Sequence, residues 1–176
     1  MNRLFGGLFF VVLDFNLNLG SAKIGLLPDF VGWYLLMKGM ETLAEENRYF
    51  DRGRHWAFGL MLLNLVLYGA DLLNPTSMNA VMLWLLGLAG FCVGMYVLSK
   101  MIRGIRQMEE DHQWELQGEK LRAMWMIQAV MGAISHLFSW MPLIGVFAMI
   151  AAAVTAVCML VALYGTMKRY VQYQCE

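Results

Sequence analysis

The sequence predicts an all-α integral membrane bundle of six transmembrane helices arranged as three hairpins, and three observations carry that expectation. Hydrophobic residues make up 60% of the 176-residue chain, charged residues only 15%, and the mean hydropathy is +0.55. A soluble domain of this length needs more polar surface than that. Residues 123–167 contain no Asp, Glu, Lys or Arg. Of the 13 lysines and arginines, all but Lys23 fall on one side of the six-span scheme, the side that the positive-inside rule assigns to the cytoplasm.

Each span can be justified in turn. About 20 mainly apolar residues cross the hydrocarbon core, so the uncharged stretch 123–167 holds two spans, expected at 121–140 and 142–167. Residues 56–73, with the single acid Asp71, and 78–99, with no charge, supply two more. The N-terminal pair, 2–19 and 28–47, is less apolar. Residues 4–13 are clean, but Asp14, Asn16 and Asn18 follow, and the run 24–37 is interrupted by Pro28 and Asp29. As helices both segments still measure about 30 Å, enough to cross if polar ends are counted. A re-entrant first hairpin is the competing expectation; it would carry Lys23 into the bilayer at a cost of several kcal/mol.

On this scheme Arg3 precedes the first span, Lys38, Arg48, Arg52 and Arg54 surround the connection 48–55, Lys100, Arg103, Arg106, Lys120 and Arg122 surround the connection 100–120, and Lys168 and Arg169 follow the last span. Both termini are then cytoplasmic. Pro28, Pro75 and Pro142 fall at the three outer tips, where a first helical turn tolerates the missing N–H. The polar stretch 100–122 is expected to prolong the fourth helix into the cytoplasm as far as Gly118. The first segment also has signal-peptide features, with Arg3 ahead of residues 4–13 and Gly20 and Ala22 as small residues before a cut, but Asp14, Asn16 and Asn18 make an unusually polar approach to it.

Several function classes are excluded by what the chain lacks. Cys92, Cys158 and Cys175 form no C-x-x-C pair, the formal net charge is zero with no basic stripe, and no glycine-rich phosphate loop occurs. Neither a cofactor, a metal nor a nucleic acid is expected; the lipid bilayer is. The 16 methionines lack His or Cys at ligand spacing and read as adaptable packing.

Two sets of residues stand out. Gly87, Gly90 and Gly94 on the fourth helix and Ala148, Ala152 and Ala156 on the sixth are small-residue stripes of the kind that let helices approach closely in lipid. They are expected to serve internal packing, or contact with a membrane-protein partner or a second copy. The other set is polar and lies near the outer ends of the spans: Asp14, Asn16, Asn18 and Asp29, then Asn64, Asp71, Asn74 and Asn79, then Ser135, His136 and Ser139. Ionisable groups in spans mark ion or solute paths. Each has a plainer role beside it: Asp29 can stabilise a helix start, Asp71 can reach headgroup water, and His136 can be a hydrogen-bonded packing residue. Asp14 lies deepest and is the least easily explained by structure alone.

At Asp14-Phe15-Asn16 and Leu27-Pro28-Asp29-Phe30-Val31-Gly32 the sequence resembles a group of small multi-pass bacterial membrane proteins that share an Asp-Phe pair followed by Leu-Pro-Asp-Phe-[Ile/Val]-Gly. The likeness covers about the first forty residues. It implies a bacterial cytoplasmic membrane and carries no function with it. In size and topology the chain is also similar to the substrate-capture subunits of energy-coupling-factor vitamin transporters, without the alanine pattern of their first helix. Three roles follow as expectations: binding or transport of a small solute or ion through an outward-facing polar pocket at Asp14, Asn16, Asn18, Asp29, Asp71 and His136; an accessory subunit acting through helix contacts; and an intramembrane aspartyl protease using Asp14 and Asp71. Tyr68-Gly69-Ala70-Asp71 lacks a glycine that the last would need, so the chain is not expected to be an enzyme.

Overall fold

A computed structural model of the chain describes residues 1–17, 29–73, 80–138 and 141–175, the side chains at 13–17, 70–73, 80, 83, 142 and 175 excepted. Among these residues six helices form and no strand: α1 Asn2–Leu17, α2 Asp29–Leu43, α3 Arg48–Leu73, α4 Ala80–His112, α5 Gly118–Leu137 and α6 Pro142–Cys175. The protein is all-α. Pro142 is the first residue of α6, a position where its fixed φ suits the helix and its missing N–H has no partner to lose. Pro28, Pro75, Lys23, Gly20, Ala22 and Asn18 lie outside the described residues.

By length and composition, Trp84–His112 of α4 and Leu143–Gln174 of α6 can each cross a membrane, and Asn2–Val12 is a shorter apolar helix. Among the described residues fewer helices meet that standard than the six expected spans, and their sequences show why. The 15 residues of α2 include Asp29, Lys38 and Glu41, and such a helix is only about 22 Å long against a core of about 30 Å. Charged residues open α3 at Arg48, Asp51, Arg52 and Arg54 and α5 at Glu119, Lys120 and Arg122, which shortens their apolar portions.

The helices form a closed ring in chain order, each packed on its sequence neighbours, with α6 returning against α1. Neighbours run antiparallel. Phe50 lies against Gly104 and Trp56 against Tyr96 between α3 and α4; Trp84 reaches His136 and Trp125 reaches Met95 between α4 and α5. Both termini therefore share one end of the ring.

The α1/α2 seam is the tightest, and glycines make it so. A Cβ on Gly7 would stand 2.5 Å from the Leu36 backbone nitrogen, one on Gly32 3.0 Å from that of Val11, and one on Gly39 2.7 Å from that of Leu4. Backbone meets backbone at three successive levels, an approach open only to residues without side chains.

The core is concentrated at the terminus-bearing end. Leu4, Leu8, Leu36, Met40, Phe50, Met101, Ile105, Met108, Leu121 and Leu163 are fully buried there and close that end of the ring. The connection between α4 and α5 is strapped over it. The fourth helix stops at His112, short of the Gly118 expected to break it, because Gln113 adopts a left-handed φ of 57° and the Trp114 amide donates back to the Glu109 carbonyl at 3.2 Å. That is a Schellman termination, with Gln in the place glycine usually takes. Gly118 instead opens α5, its amide donating to the Glu109 carboxylate at 3.0 and 3.1 Å, so an acid faces the positive end of the helix dipole. Trp114 stacks on Tyr173, the Thr166 hydroxyl donates to the Leu116 carbonyl at 2.6 Å, and Arg169 donates to the Glu115 carbonyl at 3.0 Å. Burial pushes the Tyr170 phenol above its ordinary value of 10.0, aided by Glu46 3.5 Å away.

The outer surface is unlike this core. Leu143, Phe147, Val66 and Val161 are 77%, 72%, 66% and 65% exposed, and with Val81, Leu85, Val130, Ile150, Val154 and Val157 they form an apolar belt around α3 to α6. A monomeric soluble protein rarely shows a contiguous apolar patch beyond a few hundred Å².

Candidate functional site

Among the described residues, the half of the ring away from the termini is less densely packed than the other. A cavity of roughly 520 Å³ lies inside it, lined by residues from all six helices, within the range of about 300–1,000 Å³ usual for small-molecule sites. Its wall is mainly apolar: Leu8, Val11 and Val12 from α1, Trp33 from α2, Leu60, Leu63 and Leu67 from α3, Phe91 and Met95 from α4, and Met149 and Met159 from α6. Five polar side chains interrupt that wall, Asp29, Asn64, Gln128, Ser135 and His136.

Local sequence explains how each is aimed inward. On α5, Gln128, Gly132, Ser135 and His136 recur at helical spacing along one face, and Gly132 receives the ring of Phe91 from α4. Phe91 also packs against the His136 ring, centroids 5.1 Å apart and planes tilted by 57°, while the His136 backbone carbonyl accepts from the Trp84 indole at 3.4 Å. His136 is therefore held in place from α4 by two aromatic side chains. Asn64 donates to the Leu60 carbonyl one turn back at 2.8 Å, which keeps its amide beside the cavity wall.

Gln128 is buried, and its carbonyl oxygen accepts from the Thr155 hydroxyl of α6. That hydroxyl also lies 3.0 Å from the Ala151 carbonyl and 2.9 Å from the Ala152 carbonyl. It has one proton, so the three acceptors are alternatives. Thr155 thus orients the Gln128 amide and keeps a partner of its own if Gln128 is removed.

The fourth helix gives the cavity its width. Gly87 and Gly90 have open space where a Cβ would stand, whereas a Cβ on Gly94 would meet the Trp33 ring at 3.3 Å. All three glycines line the cavity. The close helix seams belong to Gly7, Gly32 and Gly39. On α6, Ala148, Ala152 and Ala156 are buried in the ring, with Ala156 at the cavity wall.

Of the polar residues singled out from the sequence, Asp29, Asn64, Ser135 and His136 border the cavity; Asn74, Asn79 and Ser139 lie outside the described residues. The backbones of Asp14 and Asn16 belong to the last turns of α1 and that of Asp71 to the end of α3, but their side chains, like Asn18 as a whole, lie outside the described residues. Gln128 and Trp33 were not anticipated. Gln128 had a signal: it is a lone amide in an uncharged run, eight residues and therefore about two turns before His136. Among the described residues no three His, Cys, Asp or Glu side chains come together as metal ligands. Among the described residues the wall brings the carboxylate of Asp29 and hydrogen-bonding side chains beside aliphatic, aromatic and thioether groups.

Compared with known proteins, the chain matches no family model, no curated protein and no solved structure.

Proposed function

We propose that the protein is a six-span membrane protein of the bacterial cytoplasmic membrane that binds a small, largely apolar solute in a cup opening away from the termini. The observation that carries this reading is the cavity, roughly 520 Å³ and bordered by all six helices, with its few polar groups on an otherwise apolar wall. The dense core at the terminus-bearing end makes the cup one-sided. Asn64, Gln128, Ser135 and His136 supply neutral hydrogen-bonding groups and Asp29 a carboxylate, so the solute has an apolar body and one or two polar substituents. The apolar belt on α3 to α6 favours lipid as its solvent. The distribution of Lys and Arg puts the termini in the cytoplasm. Transport, if the cup opens alternately to both sides, uses the same site. The Ala148, Ala152 and Ala156 stripe that favoured an accessory subunit is buried within the ring, and Gly87, Gly90 and Gly94 border the cavity, which supports the solute reading over that one.

Purification in mild detergent followed by native mass spectrometry should release a stoichiometric small molecule. Gln128→Leu should lower its retention about tenfold, the worth of one or two neutral hydrogen bonds, while Thr155 falls back on the Ala151 carbonyl and the fold survives. Unchanged retention by Gln128→Leu would move the ligand out of this cavity.

Membrane embedding has a separate test in the cysteines. Cys92 and Cys158 are exposed on the outside of the ring, so in an aqueous protein both would react with a water-soluble maleimide. In sealed right-side-out vesicles all three cysteines should be inert, and opening the membrane should admit reagent to Cys175 alone. Prompt modification of Cys92 and Cys158 would remove the lipid from the reading.

A further inference from the structure

Lys100 is the one charged side chain among the buried described residues, only 9% exposed. Its stem lies between α3 and α4 beside Gly53, where a Cβ would come within 3.5 Å of the Lys100 Cβ. Its ammonium lies 4.9 Å from the centroid of Tyr96 and 5.7 Å from that of Tyr49. Among the described residues no carboxylate pairs with it, nor with Arg52 or Arg103, although other cations at this end do find acids: Lys38 with Glu41 at 2.7 Å, Arg54 with Asp51 at 2.9 Å, Arg106 with Glu119 at 2.6 Å. In a chain of zero formal net charge, this groove gathers cations and leaves them unanswered.

We infer that the groove between α3 and α4 near the terminus-bearing end binds the phosphate of an anionic phospholipid of the inner leaflet, with Lys100 at its centre. This rests on the membrane reading above. The ammonium has three N–H donors, and aromatic faces attract a cation without satisfying those donors. A stem buried in the protein with its tip at the edge of the groove is the snorkelling arrangement, which delivers the charge to the headgroup layer. Trp56 packs against Tyr96 at 5.6 Å, and this indole–phenol pair belongs at the same depth. Exposed Arg52, beside Gly53, and Arg103, one turn beyond Lys100, flank the groove. Farther from the charged end exposed Leu85 continues the Tyr96 face of α4 three turns on, a track for acyl chains that a free phosphate would not use. The cytoplasmic leaflet is the anionic one.

The test uses the full-length protein in nanodiscs containing equal phosphatidylglycerol and phosphatidylcholine, with retained lipids counted by native mass spectrometry. Phosphatidylglycerol should be retained preferentially. Lys100→Gln should cut the preference roughly fivefold, as expected for one charge near the headgroups, and Lys100→Arg should restore it. Arg52→Gln with Arg103→Gln alters only exposed side chains and should reduce it similarly even if Lys100→Gln folds poorly. Lys38→Gln, whose charge is already met by Glu41, should leave it unchanged. Equal retention of the two lipids, or a preference that survives both the Lys100 and the double arginine variants, would overturn the assignment. So would displacement of the lipid by millimolar inorganic phosphate, which would make free phosphate the ligand. A protein that stays soluble without detergent would instead overturn the membrane reading itself.

Discussion

Gly7→Ala should break the first hairpin, while Gly6→Ala, one residue away, should be tolerated. A Cβ on Gly7 would meet the Leu36 nitrogen at 2.5 Å, the Leu36 Cγ at 2.8 Å and the Gly32 carbonyl oxygen at 2.9 Å. Two of these are backbone atoms, so no rotamer change relieves the clash and α1 must move off α2. That displacement would also disturb Gly32 and Gly39, which sit equally close to α1. Overpacking of this kind costs about 3 kcal/mol. Gly6 has nothing within 4 Å of a Cβ, and alanine there should gain up to about 1 kcal/mol of helix propensity. Thermal unfolding in one detergent, recorded for both variants, decides the matter. Equal melting temperatures would mean that α1 does not pack on α2 through this seam.

Gly90→Leu should produce the opposite combination, a protein at least as stable as the parent that no longer binds its solute. Glycine inside α4 costs roughly 1 kcal/mol relative to alanine, and space is open at Gly90, so a side chain there meets no clash on entry. It projects instead into the cavity of roughly 520 Å³ that Gly90 lines. Occupying that space with leucine removes the volume the solute needs, and retention should fall by about a hundredfold or more, since overlap with a ligand costs several kcal/mol. Gain of stability with loss of function is what a site kept empty at the expense of the fold should show. A Gly90→Leu protein that retains its small molecule at full stoichiometry would mean that the cavity is not the binding site. Loss of both stability and binding would mean that Gly90 is a packing position after all.

These two glycine experiments mark the boundary of what a sequence reader could see. Helicity and the order of the elements were legible because they follow from properties of single segments: the uncharged run 123–167, the proline that begins α6 at Pro142, and the charged residues that open α3 and α5. His136 and Asp29 were legible for the same reason, being polar groups in apolar surroundings. The glycines were visible as glycines, but nothing local separates Gly7, which is pressed against a backbone, from Gly6, which faces open space. Gln128, a neutral amide, carries only its spacing to His136 as a signal, and Lys100 reads in the sequence as one more positive charge that orients the chain.

By itself the sequence determined that this is an all-α chain of hydrophobic hairpins, its cations other than Lys23 gathered at the end that carries both termini. Only the tertiary structure decided that α6 closes on α1, that among the described residues the ring is packed solid at one end and holds a cavity toward the other, and that Asn64 of α3 borders the same cavity as Gln128 and His136 of α5. The physical reason lies in the helix surfaces. On α6 the outward Leu143 and Phe147 are as apolar as the inward Ala148 and Ala152, so no polar face tells which side is inside. When hydrophobicity does not distinguish the two faces, size and fit do, and these become defined only when the neighbouring helix is in place.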